Sequence, residues 1–386
     1  MKSLVRFGLL SFAFIGSLCP VDAAPIILWH NQSGQQARFF QKVVGEFNAS
    51  GRFKEKIQAE TGLELESILI PQIDSSVRPD MLFIPSDMIG LYRELYLSEI
   101  PSSWKRAQTG IPDDVYQLLT FEGKIYGIPV LGGNHLVLFY NKSHVSVPAK
   151  TWQELRDQGQ ALRSKGIKLI GWPFLEPYYF LPFLQSLAPW TPEQLNTNAM
   201  ESALSAYHQL TVSGLISAEC GQDCNTSRFY RGEFAYAISG DWAVADAKLK
   251  LGNRLGIADL PKFGERPLLS GRGLQCLVFS NPKTFSKHRA LFLEFGRFLQ
   301  SEAIQSRWAS EALRKPLHKA VATNADDGRA TLIPSSKATF YAWLAMKQGL
   351  SALRGKTPDF KAIARQIQDV FEQIARTGLQ QNAGKR

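Results

Sequence analysis

The strongest constraint on how this chain folds is a repeated switch of hydrophobic period, from short continuous apolar runs to apolar residues three and four apart. Ile26 to Trp29 is such a run and ends in the polar loop His30, Asn31, Gln32, Ser33, Gly34. Phe39, Phe40, Val43, Val44 and Phe47 then follow at helical spacing, with Ser33 available as a cap, so the unit reads strand, loop, helix. Leu63, Leu65 and Ile68 to Ile70 predict a second strand, and Met81 to Ile84 a third. This is the alternation of an α/β sandwich.

Further along, extended segments are predicted at Ile125 to Pro129 and Leu136 to Tyr140. Gly132, Gly133, Asn134 and His135 interrupt them with residues that tolerate unusual backbone angles, which suits either a crossing between lobes or a simple turn. A helix is predicted from Thr151 to Ser164, and strands at Lys168 to Gly171, Phe234 to Ser239, Leu255 to Asp259 and Gln275 to Phe279. Helices dominate thereafter. The clearest is the stripe Phe360, Ile363, Ile367, Val370, Phe371 and Ile374 after Pro358, with a polar, frayed tail from Gly378.

The first residues have the layout of a secretory signal: Lys2 and Arg6, an apolar stretch from Phe7 to Leu18 too short to span a bilayer, and a Val21-Asp22-Ala23 cleavage site. A signal peptide is expected over 1–23, placing the mature chain in the periplasm. Cys19 follows Leu18, where a lipoprotein would carry a small residue, so lipidation is not expected. The remainder of the 386 residues exceeds what one core fills, and two lobes are expected. The formal charge of +10 is spread among acidic residues without long like-charged runs. That argues for a solvated basic surface and against nucleic acid as a partner.

Cys220 and Cys224 lie four apart in a chain expected to be exported, which makes them a candidate disulfide, while Cys276 sits in a strand-like run and is expected to be a buried thiol. The six histidines show no ligand spacing, so no metal or cofactor is expected. There is no phosphate loop, no Gly-x-Ser-x-Gly elbow and no His-Glu-x-x-His. Glu176 and Asp241 could serve a glycosidase, but mechanism there depends on a spatial separation that sequence does not supply.

What the chain has in abundance is rings beside polar side chains: Trp172, Phe174, Tyr178, Tyr179, Phe180, then Trp242, then Phe340, Tyr341 and Trp343. A pyranose stacks its C–H face on such a ring and needs carboxylates, amides or guanidinium groups around its hydroxyls. Phe180, Phe183 and Tyr341 sit among apolar helix positions and are expected in the core, Trp172 and Trp242 in a pocket.

Taken in order, Ile27-Leu28-Trp29-His30-Asn31-Gln32-Ser33-Gly34, Pro79-Asp80-Met81-Leu82-Phe83, Glu122-Gly123-Lys124-Ile125-Tyr126-Gly127-Ile128-Pro129 and Phe139-Tyr140-Asn141-Lys142 resemble family 1 extracellular solute-binding proteins of ABC transporters, a group that includes the maltose binders. The resemblance implies an α/β, two-lobed periplasmic-binding-protein fold of class II type. Lobe one would be 24–132 with 268–320, lobe two 133–267 with 321–386. Leu175-Glu176-Pro177-Tyr178 and Ile238-Ser239-Gly240-Asp241-Trp242 resemble the family's sugar-contacting segments. By that resemblance Asp87 and Glu176 accept hydroxyl hydrogen bonds, and Tyr178, Trp242 and Phe340 provide stacking faces; the loop residues His30, Asn31 and Ser33, with Asn134 and Trp172, are further candidates to line the ligand. Ile84, Met88 and Asn134 replace an aromatic, an arginine and a glutamate of the maltose binders, which moves the expected ligand away from maltose itself. Arg272, between two glycines, would suit an acidic or phosphorylated ligand, or else be salt-bridged at the surface.

The function implied is a monomeric, secreted sugar-binding component that closes about a hinge and delivers carbohydrate to ABC transporter membrane subunits. Two alternatives remain at this level: closure read by a membrane histidine kinase or chemoreceptor, and an exported glycosidase.

Overall fold

The structure is a computed structural model and describes residues 24–61, 78–322 and 330–378. The expected signal peptide, the expected strand at 63–70 and the tail after Gly378 lie outside the described residues. The chain opens with β1 (Ile26–His30), α1 (Gly34–Ala49), β2 (Ile57–Thr61), β3 (Met81–Pro85) and a 3₁₀ turn over Ser86–Leu91. After α2 (Ser102–Arg106), the extended segment expected at 125–129 divides: β5 (Lys124–Ile125) forms a small hairpin with β4 (Thr120–Phe121), and β6 (Ile128–Gly132) enters the main sheet. Next come β7 (Leu136–Asn141), α3 (Trp152–Arg163), β8 (Lys168–Gly171), α4 (Pro177–Gln185), α5 (Asn198–Val212), α6 (Ser227–Tyr230), β9 (Phe234–Gly240), α7 (Val244–Leu251) and β10 (Leu255–Ala258). The last part contains β11 (Ser270–Arg272), β12 (Gln275–Phe279), α8 (Pro282–Lys287), α9 (Arg289–Gln300), α10 (Glu302–Glu311), β13 (Lys315–Pro316), β14 (Ala330–Leu332), α11 (Lys337–Leu350) and α12 (Phe360–Thr377).

Two main sheets result. One has the order β13-β6-β12-β3-β1-β2 and the other β10-β7-β9-β8. The chain passes from the first to the second at 133–135, between β6 and β7, and returns through β11 to β12. The two crossings are tied to each other, because Gly273 N donates to Gly133 O (3.0 Å) and Leu136 N to the Ser270 hydroxyl (2.7 Å). At 133–135 the backbone turns through left-handed angles at Gly133 (φ 97) and Asn134 (φ 53), the latter a residue whose short side chain tolerates them. A side chain at 133 is excluded on a second ground: a Cβ there would lie 2.1 Å from Asp241 Oδ2.

Burial explains the helices' placement. Phe39, Phe40, Val43 and Phe47 of α1 pack with Phe295 of α9 and Trp308 of α10 on one face of the first sheet, where Phe40 stacks on Phe83 at 4.8 Å. Such ring pairs contribute about 0.5–1.5 kcal/mol beyond burial alone. The opposite face of that sheet, through Leu82, Ile84, Cys276 and Val278, is continuous with the core of the second sheet by way of α11. Caps set several boundaries. Thr151 accepts from Glu154 N at the start of α3 (3.1 Å), and Asp359 accepts from Ala362 N at the start of α12 (2.9 Å). Among the described residues no helix is long and apolar enough to cross a membrane.

Cys220 and Cys224 are joined in a disulfide within the second body, both buried. For so short a loop, chain entropy gives the bond about 2 kcal/mol of stability. Substituting both cysteines by serine is expected to cost about that much in a denaturant melt. The loop backs the segment that leads to Glu176 and Tyr178, since Phe174 N donates to Cys220 O (3.0 Å) and Asn225 donates to the Tyr179 hydroxyl (3.0 Å), so a modest loss of ligand affinity should accompany the lower melt; affinity unchanged in the variant would show that the contact does not reach the site.

Candidate functional site

The segments expected at the ligand converge where the two bodies meet. β1 ends in His30, whose imidazole is buried edge-on against Phe40 (5.2 Å between centroids). Burial lowers its pKa to about 4, so it is neutral at physiological pH. Asn31 and Ser33 are exposed in the loop that follows. Ser33 occupies the cap position of α1 with extended backbone but makes no side-chain cap, contrary to its expected role. The first turn of α1 is instead served from the other body. Asp246 Oδ1, on α7, accepts from Gln35 N at 2.9 Å, putting an anion where the helix's free amides and dipole favour one. Gly34 (φ 52) makes this possible, since its Cβ would stand 1.9 Å from Asp246 Oδ2. Beside it, Gln36 Nε2 donates to Trp242 O at 2.5 Å.

A second junction centres on Arg314, which leads from α10 into β13 of the first sheet. Its side chain is 1% exposed. Nη1 reaches Asp241 Oδ1 at 3.1 Å, and Nη2 donates to Asn134 Oδ1 at 2.7 Å. Asp241 begins the 3₁₀ turn after β9, and its other oxygen lies 3.4 Å from His135 Nδ1. Burial alone would raise the Asp241 pKa, but the Arg314 guanidinium and His135 outweigh it and hold the carboxyl below its ordinary value. Asn134 is therefore engaged within the protein rather than left as a free amide.

The aromatic wall runs across this junction. Tyr178, in the first turn of α4, meets Trp242 edge to face at 5.8 Å, and Trp343 of α11 at 6.1 Å, and Trp343 stacks on Trp190 at 5.0 Å. The Tyr178 hydroxyl lies within hydrogen-bond reach of the carbonyl oxygens of Asn134 and of Gly271 (2.9 Å), so its one proton serves either crossing strand. Asp87, in the turn after β3, accepts from Trp343 Nε1 at 2.9 Å, and Glu176, at the cap position of α4, pairs with Lys347 Nζ at 3.3 Å. Burial pushes the Asp87 carboxyl above its usual range, and the indole donor only partly offsets this. Arg272 stands half-buried on β11, at the returning crossing.

Two expected ligand residues are corrected. Trp172 is fully buried: its Nε1 donates to the Tyr207 hydroxyl at 2.7 Å, and its ring packs against Trp152, so it belongs to the core of the second body. Phe340 is also buried, on the packed side of α11, and offers no platform. Sequence reasoning did not assign Arg314, Asp246, Gln36 or Lys347 to the site. It noted Trp343 only as one of a group of rings. Positions 343 and 347 lie one turn apart on one helical face, and that spacing was the available signal for α11. Among the described residues, no group of three or more histidine, cysteine, aspartate or glutamate side chains is placed to hold a metal ion.

Comparison with known proteins follows the same lines. Residues 42–334 match the sequence model of the bacterial extracellular solute-binding proteins. The maltotriose-binding protein of Pyrococcus abyssi (strain GE5 / Orsay) is 23% identical over 251 residues, 61% of this chain and 53% of that protein. The chain thus spans about half the length of the curated relative it matches. A maltose/maltodextrin-binding domain from Bdellovibrio bacteriovorus, solved bound to maltotriose, superposes with a TM-score of 0.80 at 20% identity, covering 91% of this chain and all of that one. That likeness shows the two-lobed periplasmic-binding fold.

Proposed function

Because the chain belongs to the bacterial extracellular solute-binding proteins, a family of binding proteins rather than enzymes, we propose that it is the periplasmic carbohydrate-binding component of an ABC importer, exported by a signal peptide at 1–23. Its lobes are 24–132 with 268–320 and 133–267 with 321–386, hinged at the paired crossings. The ligand is an oligosaccharide of the maltotriose class, and the partners are the importer's membrane subunits.

The observation that carries this reading is the Tyr178–Trp242 ring pair beside two carboxylates, Asp87 and Glu176, drawn from different bodies at one junction. Rings take the apolar faces of a sugar, and carboxylates take its hydroxyls. Groups on both bodies reach one ligand only when the bodies are together, so binding free energy favours the closed arrangement that a transporter can distinguish from the open one. The names of the two relatives above support the ligand class. Ile84 and Met88 are buried and apolar, which removes polar and stacking contacts and favours a ligand other than maltose.

The test is calorimetry with maltotriose. Trp242→Ala and Glu176→Ala should each weaken binding about tenfold, the equivalent of roughly 1.4 kcal/mol, with circular dichroism melts near wild type. Unchanged affinity in both variants rejects this pocket, and hydrolysis of the sugar would restore the enzyme alternative.

A further inference from the structure

We propose that Trp343 and Lys347 of α11 are positioning residues that set the two ligand carboxylates, Asp87 and Glu176, from one helix face. This rests on the carbohydrate reading of the cleft, since those carboxylates matter only if they meet the ligand. Asp87 belongs to the turn following β3 of the first sheet, whereas Glu176 opens α4 beside the second. No strand or helix holds both, yet α11 contacts each.

The start of α11 is fixed first. Ser336 caps it, accepting from Thr339 N at 3.0 Å, and Thr339 Oγ1 donates to Pro334 O at 2.8 Å. That first turn lies directly on Gly90, whose absent Cβ would fall 2.2 Å from Ser336 C and 2.4 Å from Lys337 N. Lys337 also pairs with Glu94 just beyond the turn. The helix is thereby seated on the segment that carries Asp87. Trp343 comes around on the same side, and its indole N–H binds Asp87 Oδ2, which stops the carboxylate from rotating freely. The ring itself is held between Trp190 and Tyr178.

One turn later Lys347 reaches Glu176. Both side chains are about two-fifths exposed, at 42% and 40%. An exposed pair of this kind adds little to stability, so its consequence is orientation. Glu176 does not cap its own helix, and the lysine is what fixes where its carboxylate stands.

The titratable groups facing Asp87 are Tyr178 from α4 and Cys276 from β12, both neutral through the acid range and pushed further up by burial. With those silent, Asp87 is the group whose ionisation the Trp343 N–H should report.

The experiment begins without ligand, on the full mature chain labelled with ¹⁵N-tryptophan. One indole resonance, absent in Trp343→Phe, should move with pH at a midpoint above that of an ordinary carboxylate and should stop moving in Asp87→Asn. Maltotriose affinity is then measured across pH. Trp343→Phe should bind about tenfold more weakly at neutral pH and lose affinity at a higher pH than wild type, because the donor that favours the ionised carboxylate is gone. Asp87→Asn with Trp343→Phe should be no worse than Asp87→Asn alone. Lys347→Met should weaken binding by a smaller factor. An indole that ignores Asp87, or Trp343→Phe and Lys347→Met proteins with wild-type affinity and pH profile, overturns the proposal. Failure of the wild-type protein to bind maltotriose or related oligosaccharides counts against the carbohydrate reading instead, and the indole titration then decides the Asp87 contact by itself.

Discussion

Replacing Arg314 by methionine is expected to lower the stability of the protein by about 3–5 kcal/mol, the range for removing one partner of a buried ion pair. The loss has two parts. Asp241, with 15% of its side chain exposed, would lose its guanidinium partner and keep His135 and the Asn134 backbone N–H, and Asn134 Oδ1 would lose its donor at the crossing. The pH dependence follows from the sign of the Asp241 shift. A carboxyl held below its unfolded pKa contributes stability that is full above the unfolded value and is lost as pH falls through the folded one. In the variant the charge that contributes most to that depression is gone, so the melting temperature should begin to fall at a higher pH on acidification. Since Arg314 and Asp241 come from different bodies, the radius of gyration in solution scattering should also rise as the bodies part. Adding Asp241→Asn to the methionine variant should recover part of the stability, because no unpaired charge then remains buried. A single variant that costs less than about 1 kcal/mol would show that the pair is solvated rather than buried.

The parts of this protein that sequence made legible are those governed by local period. Phe39, Phe40, Val43, Val44 and Phe47 placed α1, and the stripe from Phe360 to Ile374 placed α12, because a buried helical face imposes its own spacing. The continuous apolar runs at β1, β3, β9 and β12 were visible for the same reason. Gly133 and Asn134 marked an irregular backbone, but only the two sheets on either side distinguish a crossing from a turn. The site was less legible. Asp87, Tyr178 and Trp242 were assigned by resemblance, and ring contacts join Tyr178 to Trp242 and, through Trp343, to Asp87. Trp172 was misplaced because a tryptophan beside polar residues looks the same in sequence whether its N–H meets a ligand or, as here, the hydroxyl of Tyr207 thirty-five residues away. Arg314 and Asp246 were invisible for a related reason. Their partners are 73 and 211 residues distant, and long-range electrostatic pairing leaves no local pattern.

A single methyl group at Gly90 should test how the two halves of the site are joined. Gly90→Ala places a Cβ within 2.4 Å of backbone atoms of Ser336 and Lys337, and these cannot rotate aside as a side chain's end can. Either the turn at 86–91 or the first turn of α11 must move. Overpacking of this kind costs about 1–3 kcal/mol, so the protein should still fold. The greater effect falls on binding. Asp87 lies three residues before Gly90, and Trp343 two helical turns beyond the clash, so displacement of the helix separates Trp343 Nε1 from an acceptor 2.9 Å away. A hydrogen bond lengthened by even half an ångström is largely lost. Maltotriose affinity should fall about tenfold or more, and the Trp343 indole resonance should no longer follow Asp87. Gly34→Ala is the instructive contrast. There the obstructing group is the Asp246 carboxylate, which can swing away, so that variant should lose the α1–α7 contact yet keep the Asp87–Trp343 bond. If Gly90→Ala binds like wild type while Gly34→Ala does not, closure at α1 rather than seating of α11 controls the site.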